Sequence, residues 1–317
     1  MITVMGAGAF GTGLAISLAA RHEVTLWARN ADHADEMRKS RQNARRLPDV
    51  SLPDEIKITS GTALDRSEAI LLAIPTQKLR AFLDEMGSHL PANAPLIACC
   101  KGIEIGTGLR PSQIIAEALP KAPIAILTGP SFAADIARGL PTALTLACTD
   151  SVLAETLQTQ LSTPNIRLYR SADVTGAELG GALKNIIAIA CGVAIGAGLG
   201  DSARAALMTR GFSEMVRMAK AMGADPATLT GLSGFGDLVL TCSSGLSRNY
   251  RAGLAIGREE ALPAKTTIEG ISTAMAVNDL AEELDLPVTR IMAPLVSGEL
   301  KLQEAIDLLF KRPLKEE

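Results

Sequence analysis

Short, continuously apolar runs separated by stretches with helical spacing make up the first half of the chain. The runs cover residues 2–5, 23–27, 69–74, 96–99 and 124–127, and two further runs follow at 142–147 and 166–169. Strands that are apolar on both faces are typical of a parallel sheet covered by helices on both sides. The alternation of such strands with helices therefore predicts a doubly wound, mainly parallel α/β domain.

The pattern changes at about residue 173. Beyond that point Ala, Leu and Met recur at helical spacing in long segments, and runs of β-branched residues are few. A period near 3.6 residues over such lengths indicates helices rather than strands. We therefore divide the chain into an α/β domain over residues 1–172 and an all-helical domain over residues 173–317.

Two apolar stretches have to be tested as membrane spans. Residues 1–20 carry no charged side chain, but the four glycines among them would make a poor inserted helix. Residues 186–200 would rise only about 22 Å as a helix, which is less than the ~30 Å of a bilayer core. Both stretches are predicted to be buried in a protein core, and we expect no transmembrane segment.

Length, charge and cysteine content narrow the possible classes of protein. A chain of 317 residues is long enough for about two domains, and 31 Lys and Arg against 34 Asp and Glu give a formal charge of −3. This charge provides no general attraction to nucleic acid or to anionic lipid. The five cysteines form no CxxC pair, and the three histidines all precede residue 90. We therefore expect a cytoplasmic protein with neither disulfides nor a metal site.

A glycine-rich turn directly follows the first predicted strand. Glycines stand at positions 6, 8 and 11, and a helical pattern and a second strand come next. In a dinucleotide-binding fingerprint, Gly6 would permit the tight turn and Gly8 would let the backbone approach the pyrophosphate. Gly11 would let the helix pack on the strand. The alternative is a glycine-rich turn without a ligand. The combination of strand, glycines, helix and strand favours the nucleotide site.

The end of the second strand carries Arg29 where an NAD-specific site usually places an acidic residue. A guanidinium there can form a forked contact with the 2′-phosphate of NADPH. The alternative is a solvated surface arginine. Five more basic residues lie between positions 38 and 46, and the acidic total favours a solvated or cofactor-flanking loop over a nucleic-acid site.

Lys184 opens the long apolar helix of the second half. Its neighbours at helical spacing, including Gly180, Gly181 and Ile187, carry no charge that could pair with it. Burial on such a face is expected to lower the pKa of a lysine, and the small neighbours leave room for a ligand. These are properties of a lysine general acid or base. The alternative is a lysine whose head group extends to solvent.

Two further segments carry polar side chains suited to a site. Asp237 and Thr241 would lie on one helical face at a spacing of i and i+4. The alternative for Asp237 taken alone is an N-terminal helix cap. The run Ser247, Arg248 and Asn249 offers hydrogen-bond donors for a phosphate group. Neither segment is specific by itself.

Seven blocks taken together resemble bacterial NAD(P)-dependent glycerol-3-phosphate dehydrogenases. The resemblance covers nearly all of the chain, and the order and joint presence of its motifs are highly specific. The matching blocks are residues 6–11, 101–104, 129–133, 181–185, 200–210, 236–238 and 246–249.

The resemblance implies a Rossmann-type sheet followed by a helical C-terminal domain like that of 6-phosphogluconate dehydrogenase. It implies reversible reduction of dihydroxyacetone phosphate to sn-glycerol 3-phosphate, a precursor of phospholipids, with NADP(H) preferred, NAD(H) possible and no metal. A homodimer is also expected, because small apolar helices are abundant.

The same resemblance assigns roles to individual residues. Lys184 is the proton acceptor in the oxidation direction. On physical grounds, Lys101 would stabilise the developing negative charge, and Asp237 with Thr241 would orient Lys184. The residues that line the substrate site are Lys101, Gly129, Ser131, Asp237, Ser247, Arg248 and Asn249. The residues that contact the cofactor are Gly6, Gly8, Ala9, Phe10, Gly11, Arg29, Lys101, Ala133, Arg248 and Glu269.

Departures from the family pattern are modest. Ser202 stands where an Asn commonly follows Asp201, and residues 242–245 lack an acidic residue that often precedes the block at 246–249.

Two alternative functions can be distinguished by these residues. A hydroxyacid dehydrogenase of the same architecture should lack Ser247, Arg248 and Asn249. A non-catalytic NADP(H) sensor would keep Arg29 but would have no need of Lys184 together with Asp237.

Overall fold

The computed structural model describes residues 1–64, 66–262 and 267–310, apart from the side chains at 279, 282 and 310. The chain forms two compact units. The first contains Met1–Lys101 and Arg110–Glu178, and the second contains Gly102–Leu109 and the chain from Leu179 onward. The division falls six residues after the predicted boundary at 172, inside a continuous helix, and a short segment before residue 110 also belongs to the second unit.

The first unit is built on a sheet of eight strands. The described part of this unit has ten strands, in chain order β1 (Ile2–Met5), β2 (Val24–Trp27), β3 (Gln42–Asn43), β4 (Leu47–Ser51), β5 (Ile56–Thr59), β6 (Ala69–Leu72), β7 (Leu96–Ala98), β8 (Ile124–Thr128), β9 (Thr142–Ala147) and β10 (Ile166–Ser171). The sheet has the order β10-β9-β8-β7-β6-β1-β2-β5; its described neighbouring strands are parallel, except that β8 and β9 pair antiparallel. The predicted doubly wound, mainly parallel sheet is confirmed.

Helices cover this sheet and connect its strands. They are α1 (Ala9–Ala19), α2 (Ala31–Ser40), α3 (Thr76–Met86), α4 (Pro111–Ala118), α5 (Ala133–Ala137) and α6 (Ser151–Leu161). The central strands β1, β2 and β6 are buried at every position. This explains why their sequences are continuously apolar, since both faces of the sheet lie in the core.

Three strands were not predicted. The edge strand β5 buries Ile56 and Ile58 but exposes Lys57, so its apolar residues alternate instead of forming a run. The strands β3 and β4 form a separate two-stranded hairpin of mostly polar residues. A search for continuous apolar runs does not detect strands of either kind.

The described part of the second unit contains helices and no strand. After α7 (Val174–Gly196), which begins in the first unit, come α8 (Gly200–Ala221), α9 (Asp237–Ser243), α10 (Arg248–Gly257), α11 (Glu269–Ala276), α12 (Asn278–Glu283), α13 (Pro287–Ser297) and α14 (Leu302–Phe310). The apolar stretch at 186–200 is mostly part of α7. This helix is long and apolar enough to cross a membrane by length and composition, but 89% of its most apolar window is buried inside the protein.

Close contact between α7 and α10 sets the position of the segment that starts at Arg248. Gly192 and Gly196 of α7 lie against Gly253 and Gly257 of α10, and a Cβ atom at any of the four would overlap the main chain of the opposite helix. Small residues spaced four apart on both helices let the two backbones approach closely. The first turn of α10 therefore lies next to the α7 segment that follows Lys184.

Candidate active site and nucleotide site

The glycine-rich turn has the geometry expected of a phosphate-binding loop. Gly6 has a φ of +116°, and a Cβ atom there would lie 2.6 Å from the carbonyl oxygen of Ala73. A Cβ atom at Gly11 would overlap the carbonyl oxygen of Gly6, whereas one at Gly8 would meet nothing within 4 Å. The turn and the packing of α1 on the sheet thus require Gly6 and Gly11. Gly8 presents bare backbone to open space.

Main-chain amides in this turn are available to an anion. Among the described residues, the N–H groups of residues 7–11 have no hydrogen-bond acceptor. The helical hydrogen bonds of α1 begin with the Thr12 N–H, which donates to the carbonyl oxygen of Gly8. Helix α1 has Gly8 at its N-cap, and no side chain caps it. Unbonded amides at the start of a helix attract phosphate groups. Ala9 and Phe10, which the sequence assigns to cofactor contact, are the first two residues of this helix.

Arg29 lies just beyond β2, as predicted, and its side chain is exposed. The following Asn30 caps α2, because its side-chain oxygen accepts from the N–H of His33. The exposed guanidinium fits both the 2′-phosphate contact and the solvated arginine that the sequence left open.

Lys101, Gly129 and Ser131 meet at the carboxyl end of the sheet. Lys101 follows β7, and its Nζ donates to the carbonyl oxygen of Gly129 at 3.0 Å. The Ser131 hydroxyl donates to the same oxygen at 3.1 Å. The nearby Ala133 begins α5 and contacts α1, since a Cβ atom at Gly13 would lie 2.8 Å from the Ala133 carbonyl oxygen. These four predicted residues therefore belong to the same unit as the glycine turn.

Lys184 is buried in the second unit, where it has two partners on α9. Its Nζ donates at 2.6 Å to Oδ1 of Asp237 and at 2.6 Å to the hydroxyl of Thr241. The side chains of Lys184 and Asp237 are 8% and 2% exposed. The head group therefore does not extend into solvent. The predicted face of α9, with Asp237 and Thr241 one turn apart, is present as expected.

The ion pair changes the electrostatics that helix α7 alone predicts for Lys184. The neighbours on its own helix are uncharged, but another helix contributes the Asp237 carboxylate as an ion-pair partner for the buried ammonium. Thr241 also donates to the Asp237 main-chain oxygen at 2.6 Å. Asp237 and Thr241 together hold the lysine amine in a fixed direction.

The side chains at the start of α10 divide into buried and exposed ones. Ser247 caps the helix by accepting from the N–H of Tyr250, and Arg248 is exposed. Asn249 is buried, donates to Oδ1 of Asn185 at 2.9 Å and accepts from the N–H of Gly270 at 2.9 Å. Ser247 and Asn249 thus have structural contacts besides the substrate role that the sequence assigns to them, and Arg248 remains the exposed cation of the group.

Asn185, next to Lys184 in the chain, was not singled out from the sequence. It is buried next to Lys184, and Asn249 connects it to the first turn of α11, which begins at the predicted cofactor residue Glu269. The signal was its presence beside Lys184 in the matching block. Periodicity could not reveal it, because its partner Asn249 lies 64 residues away in the chain.

Cysteines near the lysine are unsuited to nucleophilic chemistry. Burial raises the pKa of the Cys242 thiol, and a hydrogen bond with Cys191 raises it further. Burial also raises the pKa of Cys99 beside Lys101. A protonated, buried thiol is a poor nucleophile. Among the described residues, no group of three His, Cys, Asp or Glu side chains could hold a metal ion.

The fold, the glycine turn and the buried Lys184 with its partners together define a class of protein. A mainly parallel sheet with a dinucleotide-type glycine turn after its first strand, joined to a helical unit that holds a buried lysine, is the architecture of a nucleotide-binding Rossmann oxidoreductase.

Comparison with known proteins identifies the family within that class. The chain matches the N-terminal region of NAD-dependent glycerol-3-phosphate dehydrogenase over residues 1–154 and the C-terminal region over residues 173–307. The chain belongs to this family. It is similar to the glycerol-3-phosphate dehydrogenase [NAD(P)+] of Ruegeria sp. (strain TM1040), with 57% identity over 100% of this chain and 99% of the relative. The corresponding protein of Paracoccus denitrificans is 56% identical over the same shares of the two chains.

A solved structure agrees with this assignment. The crystal structure of glycerol-3-phosphate dehydrogenase from Coxiella burnetii superimposes with a TM-score of 0.93 and 36% identity, and 98% of each chain is covered. The likeness spans both units, so the helical second half is part of the shared architecture.

Proposed function

We propose that this protein reduces dihydroxyacetone phosphate to sn-glycerol 3-phosphate with NADPH, and that Lys184 supplies the proton. The observation that supports this most strongly is the buried Lys184, whose amine contacts both Asp237 and Thr241 at 2.6 Å. A sensor protein would have no need to bury a charged lysine at the cost of its hydration.

The glycine turn fits a dinucleotide. Its free amides and the open side of Gly8 suit a pyrophosphate, and the exposed Arg29 suits a 2′-phosphate. When bound, the reduced nicotinamide supplies a hydride to C2 of the substrate. The residues described below carry out the rest of the reaction.

Proton transfer is assigned to Lys184. The ammonium donates a proton to the carbonyl oxygen of the substrate as C2 is reduced, and in the reverse direction the neutral amine accepts it. Asp237 and Thr241 hold the amine in one direction so that the transfer does not require reorientation. Lys101 stabilises the negative charge that develops on the oxygen.

Phosphate binding is assigned to the start of α10. The exposed Arg248 offers a forked pair of donors, and the hydroxyl of Ser247 and the amide of Asn249 are adjacent to it. Gly129 and Ser131 line the carbonyl end of the substrate. Binding energy from the remote phosphate fixes the position of the carbonyl and so raises the rate of the chemical step.

The cellular setting follows from the proposed reaction. A glycerol phosphate made with NADPH serves the synthesis of phospholipids, and we place the protein in the cytoplasm as a homodimer. Its five free cysteines, all buried, agree with a reducing compartment.

An absorbance assay tests the proposed function. We expect NADPH oxidation, followed by the loss of nicotinamide absorbance, only when dihydroxyacetone phosphate is supplied, because the phosphate positions the carbonyl. Unphosphorylated dihydroxyacetone is the matched control. Equal rates with both substrates would contradict the phosphate site, and bound NADPH without turnover on either would contradict the enzyme assignment.

A further inference from the structure

The hairpin of β3 and β4 is fixed to the nucleotide turn by one buried side chain. Asn43 is fully buried, and its Nδ2 donates at 3.0 Å to the carbonyl oxygen of Ala7 and at 2.8 Å to the hydroxyl of Thr12. Its Oδ1 lies 3.0 Å from Nε2 of His33 on α2. One amide thus connects the hairpin to the glycine turn, to α1 and to α2.

The partners of Asn43 determine which way its amide faces. The carbonyl oxygen of Ala7 can only accept a hydrogen bond, so the NH₂ group must point towards it. His33 lies on the oxygen side of the amide, where its ring N–H donates. His33 is itself held by the cap of α2, because its main-chain N–H donates to Asn30. The amide of Asn43 therefore has a single orientation in which all its contacts are satisfied.

This contact sets the orientation of the peptide between Ala7 and Gly8. In a planar trans peptide the C=O and N–H groups point in opposite directions. Because Asn43 binds the Ala7 oxygen from the protein side, the Gly8 N–H is directed away from Asn43. The neighbouring backbone of Gly8 faces open space, and the amides of residues 7–11 have no acceptor among the described residues.

We propose that Asn43 is a positioning residue for the cofactor, which holds the Ala7 carbonyl so that the Gly8 N–H faces the pyrophosphate. The inference rests on the proposed NAD(P)H-binding function. Without Asn43, the Ala7 oxygen would lose its donor, and the peptide could rotate to place that oxygen, with its partial negative charge, towards the phosphates. Since the pyrophosphate is common to both cofactors, Asn43 acts equally on NADPH and NADH.

Two variants of Asn43 test this assignment by cofactor binding. Asn43→Leu removes both donors at nearly constant volume, and Asn43→Asp keeps the shape but replaces the donor with a carboxylate. We expect the dissociation constants of NADPH and NADH, measured by nicotinamide fluorescence, to rise by the same factor of about ten in Asn43→Leu, the scale of one lost hydrogen bond. The increase should be larger in Asn43→Asp, where oxygen faces oxygen.

Thr12→Val is the matched control. It removes the other acceptor of the same Nδ2 group and leaves the contact with Ala7 in place. We expect it to bind both cofactors within about twofold of the unmodified protein. At saturating cofactor, the Asn43 variants should keep the kcat and the KM for dihydroxyacetone phosphate, since only the Michaelis constant of the cofactor depends on the turn. A general loss of structure would change all of these quantities.

The outcomes separate this inference from the proposed function. Wild-type affinity for both cofactors in Asn43→Leu or in Asn43→Asp would overturn the positioning role, as would an equal loss in Thr12→Val. If Asn43→Leu fails to fold, as judged by circular dichroism, Asn43→Asp alone decides the question. Failure of the unmodified protein to bind either cofactor would instead overturn the proposed function.

Discussion

Arg29 is the residue on which we propose that the choice between the two cofactors depends. It lies just after β2, exposed and directly before the cap of α2, at the position where an NAD-specific site usually places an acidic residue. A guanidinium at this position can pair with a 2′-phosphate but has little to gain from a free 2′-hydroxyl. The proposed preference for NADPH is therefore expected to depend on one side chain.

Arg29→Ala should weaken NADPH binding about tenfold to a hundredfold and leave NADH binding nearly unchanged, because a charge-assisted contact contributes roughly 1.5 to 3 kcal/mol. Titration of both cofactors by fluorescence measures this. Arg45 is a matched control, since its guanidinium is already paired with Glu36 at 2.5 Å. Equal weakening of both cofactors would mean that Arg29 supports the adenine site or the fold.

At the scale of single elements, a buried carboxylate organises the start of helix α13. Glu214 on α8 accepts from the N–H of Val288 at 2.7 Å, and from the N–H and the hydroxyl of Thr289, each at 2.9 Å. These amides are among the unpaired donors that every helix has in its first turn. Glu214 thus satisfies them from a neighbouring helix and ties α13 to α8.

Burial raises the pKa of Glu214 above the ordinary value of 4.5, although the donors from Val288 and Thr289 oppose this shift. A raised pKa in the folded state means that folding takes up a proton. The resulting stability is fully present below about pH 4.5 and is lost as the pH rises through the folded pKa. The free energy of unfolding should therefore contain a component that falls with rising pH over this range.

Glu214→Gln should abolish this pH-dependent component of the unfolding free energy. It should also destabilise the protein by about 1 to 3 kcal/mol, because its NH₂ group cannot accept from the buried donors. Urea denaturation at a series of pH values measures both effects, with the exposed Glu299→Gln as the control. An unchanged slope of stability against pH in Glu214→Gln would show that Glu214 keeps the same charge in the folded and unfolded states.

At the scale of the whole molecule, the sequence predicted those parts that depend on local pattern. The strands of the central sheet were found because β1, β2 and β6 are apolar on both faces. The glycine turn was found because its spacing is dictated by close backbone contacts. The hairpin that carries Asn43 was missed, because its strands are short and mostly polar.

The periodicity of the sequence could not predict contacts between residues that are far apart in the chain. Lys184 and Asp237 are 53 residues apart, and the uncharged neighbours of Lys184 on α7 gave no sign of a counter-charge. The resemblance to known dehydrogenases assigned both residues to the site, and their pairing was inferred from their chemistry. Asn43 and Ala7 are 36 residues apart, and nothing in the local pattern relates them. Such pairs become visible only when the helices and strands are packed together.

The two units carry different parts of the proposed reaction. The first contains the glycine turn and Arg29, and the second contains Lys184 with Asp237 and Thr241. Substitution of the lysine should therefore change proton transfer without changing the groups that hold the cofactor. Because removal of one partner from a buried ion pair can cost about 3 to 5 kcal/mol of stability, the fold of each variant must be checked by thermal melting.

The most direct test of the account is the turnover of Lys184→Ala with dihydroxyacetone phosphate and NADPH across a range of pH. We expect kcat to fall by about 10² to 10⁴, the usual scale of general acid catalysis, while the dissociation constant of NADPH stays within about twofold. A small primary amine added to the folded variant should restore part of the rate, because it can occupy the space left by the side chain. Near wild-type turnover of Lys184→Ala at every pH would contradict the assignment of Lys184 as the proton donor.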